Sequence, residues 1–360
     1  VKRKLVILFF CAVLAVSFFY PYFHSTVPMN HTDTALVLDG GAPAPWKYRV
    51  GVPLAIRFAS RVLGLGPTMG TTAVLVATLF LTLVFMLLLS DWNPSPALLL
   101  YCGLVVSHIA GGFFDPFTTW APPQHLYDFG AVLGTAVCVW ALERQRARPW
   151  LFILLTAVFM VNKETAAWLV PVAAVVWIYD KGLKRGLAWA AVTLAVATSV
   201  FAIVHSAQGA GDAFIWELSQ NWFVLTTPDR LIRLLFIGGG LWVGLLTVRA
   251  EEFPYLIAMG GFAVAQLGAG VVDELRIWGE LMPVLAFWTA RSFLFVVTPR
   301  MLAELKPDVA WGVSAFVSPT SPTPSGLKAT DGGQGTGCRV QGSGFGKDRA
   351  NRSEKVPGHD

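Results

Sequence analysis

The chain has 360 residues, 55% of them hydrophobic and only 14% charged, with a mean hydropathy of +0.59. A soluble domain carries about 25% charged residues, so a string of soluble domains is excluded and lipid is the main solvent. The net charge of +5 comes from short Lys/Arg clusters between apolar stretches. That pattern belongs to the cytoplasmic loops of membrane proteins, and a basic nucleic-acid groove is not expected.

In chain order, Lys2, Arg3 and Lys4 precede an apolar run from Leu5 to Phe23. The run is long enough to span, and Tyr20-Pro21-Tyr22 stands where a small-residue cleavage site would be, so an uncleaved first helix is expected. Nine further apolar stretches follow: 70–89, 97–114, 126–142, 150–161, 165–179, 187–205, 231–248, 254–272 and 278–297. The expected fold is all-α, a polytopic transmembrane bundle of about ten helices occupying residues 1–300. From Met301 the composition turns to Gly, Ser, Pro and Thr, as in Ser318-Pro319-Thr320-Ser321-Pro322. Residues 301–360 are therefore expected to be a disordered tail, foreign in style to the rest.

Whether 150–179 is one span or two decides the orientation of everything after it. Arg144, Arg146 and Arg148 precede it and Lys181, Lys184 and Arg185 follow. Both flanks favour the cytoplasm, so the stretch is expected to be a hairpin turning at Asn162-Lys163-Glu164-Thr165. The alternative, one tilted helix, would leave Lys163 and Glu164 in mid-membrane. With the hairpin, both termini are cytoplasmic and the polar loops gather on the outer side of a plasma membrane of bacterial inner-membrane type.

The first outer loop carries His31, Asp33 and Asp39, then Tyr48-Arg49 and Pro53. Beyond Pro53, Leu54, Phe58, Val62 and Leu65 give an apolar side, while Arg57 and Arg61 stand one turn apart. This is the pattern of an amphipathic helix lying on the outer surface, with its arginines at lipid headgroups or at a substrate. Further on, Tyr127-Asp128 opens an apolar helix, and Asp273-Glu274-Leu275-Arg276 with Glu280 precedes another. These clusters place cations and carboxylates at one depth, which suits either a satisfied ion-pair network or a substrate site. Cys11, Cys102 and Cys138 lie in apolar helices and Cys338 in the tail, without CxxC, so neither a disulfide framework nor a zinc site is expected.

Many membrane helices, an acidic first outer loop, a surface helix after it and a hairpin with a cation and a carboxylate near the outer surface together resemble polytopic glycosyltransferases of the GT-C type. Asn162-Lys163-Glu164-Thr165, Tyr48-Arg49 with Pro53, Tyr127-Asp128 and Glu274-Leu275-Arg276-Ile277 look like patterns in bacterial membrane proteins of this style. The resemblance covers residues 1–300, including the acidic first outer loop and the surface helix after it. It implies transfer of a hexose or pentose from a polyprenyl-phosphate carrier to an envelope glycan or lipid acceptor. On that resemblance Asp33 and Asp39 are the catalytic candidates, and Arg49, Asp128, Lys163, Glu164, Glu274 and Arg276 the substrate-binding ones. No adjacent Asp-Asp, Asp-Glu or Asp-x-Asp follows the first helix, a departure from the family pattern. A divalent metal is neither required nor ruled out. The competing classes are a transporter or lipid flippase, which would place ionisable groups near the midplane, and a non-catalytic subunit of an envelope assembly.

Overall fold

The computed structural model describes residues 1–23, 34–42, 46–107, 126–209, 218–228, 237–269 and 275–296. All of them fall in one unit, Val1–Val317, and the tail expected from Met301 lies outside the described residues. Among the described residues the regular structure is entirely helical. The α-helices are α1 Lys2–Phe23, α2 Thr34–Leu38, α3 Gly51–Leu63, α4 Pro67–Leu89, α5 Pro94–Val105, α6 Leu126–Arg144, α7 Pro149–Met160, α8 Val170–Lys181, α9 Leu183–Gln208, α10 Leu218–Thr226, α11 Phe253–Ala269 and α12 Met282–Val296. Tight 3-10 segments at Trp46–Tyr48, Glu164–Leu169, Ile237–Thr247 and Leu275–Leu281 join or extend them.

Three helices are long and apolar enough to cross a membrane unaided: Lys2–Tyr20 of α1, α4 and α9. Two other expected spans are built as a 3-10 segment followed by an α-helix, Glu164–Leu169 with α8 and Leu275–Leu281 with α12. Long apolar faces remain uncovered, including Phe9 and Phe10 on α1 and Leu194 and Ile203 on α9. Such surfaces suit lipid and would be costly in water.

Helix α6 is the hub. It packs on α3, α4, α7, α12 and the 3-10 segments at 164–169 and 275–281. With Phe129, Val132, Ala136 and Val139 buried on one side and Ala131, Val137, Cys138 and Ala141 buried around the rest, it is enclosed on several sides. A helix apolar all round is one surrounded by protein or lipid. The chain from Pro149 to Lys181 turns back on itself: Phe152, near the start of α7, meets Trp177, near the end of α8, with ring centroids 5.6 Å apart. Asp180 at the end of α8 also lies near Arg146, just before α7. The hydrogen bond that Arg146 donates to Glu143 is the largest cause holding its guanidinium above the ordinary pKa, and the Asp180 carboxylate adds to it.

The ionisable groups sort to two ends of the bundle. One end is rich in arginine: Arg144 donates to Asp91 at 2.6 Å, Arg291 pairs with Glu252 at 2.6 Å, and Lys4 lies over the Trp92 ring. Asp128 and Arg144 stand near opposite ends of α6, about 24 Å apart at 1.5 Å per residue. The other end therefore holds Asp128, and with it the hairpin turn.

Candidate functional site

The hairpin turn is built by a break in helical hydrogen bonding. Val161 closes α7, Lys163 is extended (φ −160, ψ 131), and Glu164 starts the 3-10 segment. Extended backbone at Lys163 turns its side chain inward, toward the start of α6. Lys163 Nζ donates to Asp128 Oδ1 at 3.1 Å and lies 2.7 Å from Glu280 Oε1, in ion-pair contact. These three residues come from the turn, the N-terminus of α6 and the segment leading into α12, and are 5%, 3% and 2% exposed. Buried charges survive only when paired, so one ammonium is the counter-ion that two helix ends share.

Burial alone would pull the Lys163 pKa down, but the fields of Glu280 and Asp128 outweigh it and hold the ammonium above its ordinary value. The side chain is therefore charged throughout the neutral range. Because the folded pKa is raised, the stability it contributes is complete below the unfolded value of 10.5 and is lost only as pH rises through the folded one.

The first loop docks on this turn. Gly51 N–H donates to Val161 O at 3.0 Å, and Val52 N–H donates to the Asn162 side-chain oxygen at 3.2 Å. Asn162 is buried, so these contacts fasten the start of α3 to the hairpin tip. Close approach requires glycine on both sides: a Cβ at Gly51 would lie 2.8 Å from Asn162 Cα, and one at Gly130 of α6 would lie 2.7 Å from Asn162 Nδ2. Just before Gly51, Arg49 donates to Glu164 Oε1 at 3.2 Å. Tyr48 stacks on His205 of α9 at 3.6 Å between centroids, and Lys47 and Tyr48 both donate to Gly209 O. Loop, turn and four helices thus meet at one end.

Of the residues singled out in the sequence, Arg49, Asp128, Lys163 and Glu164 come together here. Asp39 does not join them. Its carboxylate accepts from Arg57 of α3 at 3.1 Å, with side chains 69% and 35% exposed. Asp33 and Glu274 lie outside the described residues, as does the side chain of Arg276. On α3 itself, Val52, Pro53 and Ile56 face protein while Leu54, Phe58 and Val62 are exposed. The apolar stripe read from the sequence is therefore the outward face, in position to lie in lipid.

Two participants were not among the singled-out site residues. Glu280 was visible in the sequence as a carboxylate just before an apolar helix, the same signal that marked Asp128. Asn162 was visible only as part of the turn, because nothing in its spacing marks it as the acceptor for α3. Among the described residues no three His, Cys, Asp or Glu side chains stand together as a metal site would need.

The Arg49–Glu164 pair yields a pH test. Burial pushes the Glu164 pKa up, but Arg49 and backbone donation hold it below the ordinary 4.5. A depressed folded pKa contributes stability that is present above the unfolded value and lost as pH falls through the folded one. Unfolding measured between about pH 6 and pH 3 is expected to show this acid limb in the native protein and a flatter one in Arg49→Gln. A double-mutant cycle with Glu164→Gln is expected to give a coupling of about 1–2 kcal/mol at neutral pH.

No protein-family model matches the chain, and no curated protein or solved structure matches it either.

Proposed function

We propose that this chain is an integral membrane glycosyltransferase of about ten spans that moves a sugar from a polyprenyl-phosphate carrier to an envelope glycan or lipid acceptor. In this reading the arginine-rich end faces the cytoplasm of a bacterial inner membrane, following the positive-inside rule, and both termini lie there. The Lys163 end then faces outward. The observation that carries the reading is the gathering of Arg49, Lys163, Asp128, Glu164 and Glu280 at that one end, beneath a surface helix with an apolar outer face. A lipid-linked donor keeps its tail in hydrocarbon and its phosphate at the interface, so transfer chemistry belongs at helix ends of this kind. Apart from Arg57, midway along the surface helix α3, and Arg291 within α12, the described helices carry their Asp, Glu, Lys and Arg toward the ends, where a transporter would need them centrally.

The reaction breaks the bond between the anomeric carbon and the phosphate oxygen, and the electron pair stays with that oxygen. Arg49, whose guanidinium donates to Glu164, is the cation assigned here to stabilise the phosphate charge. Lys163, engaged by two carboxylates, sets the field of the site and holds the turn in place. The acceptor hydroxyl attacks the anomeric carbon and gives its proton to a carboxylate, for which Asp33 is the remaining first-loop candidate, Asp39 being held by Arg57 apart from the gathered residues.

Purified protein in lipid nanodiscs, offered labelled polyprenyl-phosphate hexoses and pentoses, is expected to transfer sugar to an added lipid acceptor. Arg49→Ala is expected to lower kcat/KM by about 100-fold or more, as loss of a charged donor to a developing anion does. Cysteines placed at Asp39 and Lys181 should label from opposite sides of sealed vesicles. No transfer from any donor, or labelling of both cysteines from one side, contradicts the reading.

A further inference from the structure

Among the described residues at this end, Glu280 is the carboxylate whose hydrogen-bonding capacity is left open. Lys163 Nζ touches Oε1 at 2.7 Å, yet neither carboxylate oxygen accepts a hydrogen bond. At 2% exposure the group is also out of reach of bulk water. A buried polar atom in a folded protein nearly always has a partner, and a carboxylate can accept at about four lone-pair positions. The lone pairs of Oε2 are therefore open to a donor on a molecule that enters the site.

Charge selects its class. Lys163 beside Oε1 repels a second cation, and the carboxylate itself repels a phosphate or any other anion. A neutral hydroxyl meets neither penalty, and O–H donation to an ionised oxygen is among the stronger hydrogen bonds. Trp278, two residues earlier in the chain, packs edge-on against Trp242 and Phe262, with centroids 6.2 and 6.5 Å away, and belongs to the core. A sugar ring offers hydroxyls along its edges, and so fits a carboxylate acceptor.

We infer that Glu280 Oε2 accepts a hydrogen bond from a hydroxyl of the transferred sugar, making Glu280 a specificity-determining residue as well as a partner of Lys163. This rests on the transferase reading above. The consequence is that the enzyme discriminates among sugars at one hydroxyl position, and does so through Glu280.

The test uses the full chain in nanodiscs with polyprenyl-phosphate glucose, mannose, galactose and arabinose as donors. The best of these is then supplied as deoxy analogues, each lacking one ring hydroxyl. In the wild type, one deoxy analogue is expected to lower kcat/KM by about 10- to 100-fold, the worth of a hydrogen bond to a charged group. Glu280→Gln is expected to lose a similar factor with the normal donor and little more with that analogue. Glu280→Asp keeps the charge beside Lys163 but withdraws the oxygen, so it should hold the melting temperature while losing the discrimination. If both variants keep the wild-type discrimination, whatever their stability, Glu280 is only a strut and the assignment is overturned. If the wild type transfers from none of the four donors, the transferase reading fails and the assignment fails with it.

Discussion

Lys163→Met is expected to destabilise the fold by about 3–5 kcal/mol, the largest effect of any single substitution at this end. The methionine fills nearly the same space, so the loss is electrostatic: Asp128 and Glu280 are left buried without the ammonium that lies 3.1 and 2.7 Å from them. Two carboxylates at 3% and 2% exposure cannot recover their solvation from water. The triple variant Lys163→Met, Asp128→Leu, Glu280→Leu removes the stranded charges too and should regain most of the stability, because a buried ion cluster and an apolar one of similar size are close in free energy. Reversible unfolding in mixed lipid–detergent micelles measures both. A single variant within about 1 kcal/mol of the native protein would mean that these helix ends are hydrated, contrary to the burial described.

Gly51→Val is expected to cost about 1–3 kcal/mol by overpacking and, beyond that, to abolish the function of the site. The first side-chain carbon would collide with the backbone of Asn162, at 2.8 Å from its Cα and 2.9 Å from its nitrogen, where no flexible group can yield. The start of α3 must lift, breaking the bonds from Gly51 to Val161 and from Val52 to Asn162. Arg49, two residues upstream, then leaves Glu164. On the transferase function proposed above, sugar transfer is expected to fall by about tenfold for each 1.4 kcal/mol of misplacement so introduced. Gly261→Ala is the matched control: its new carbon meets nothing within 4 Å, and a helix interior gains about 0.5–1 kcal/mol from the exchange. Equal behaviour of the two variants would show that the first loop does not need its seat on the turn.

Much of the framework was legible in the residues. Apolar stretches broken by basic clusters marked a membrane bundle, and Arg144 to Arg148 with Lys181 to Arg185 on the two flanks foretold that 149–181 turns back. The Phe152–Trp177 contact between α7 and α8 has that geometry. The number of spans was less legible. Runs such as 165–179 and 278–297 become 3-10 segments joined to short α-helices, and hydropathy is blind to that difference.

What the sequence alone determined is which residues lie in lipid and which charges collect near helix ends, because each depends on a residue's own transfer free energy and its position along one helix. Only the tertiary structure decided the partners. Asp39 went to Arg57, Lys163 bridged Asp128 and Glu280 across 152 positions of chain, and Asn162 became the seat of α3. The physical reason is that an ion pair forms wherever helix ends from distant parts of the chain are packed to within about 3–4 Å, and no local pattern encodes which ends those are.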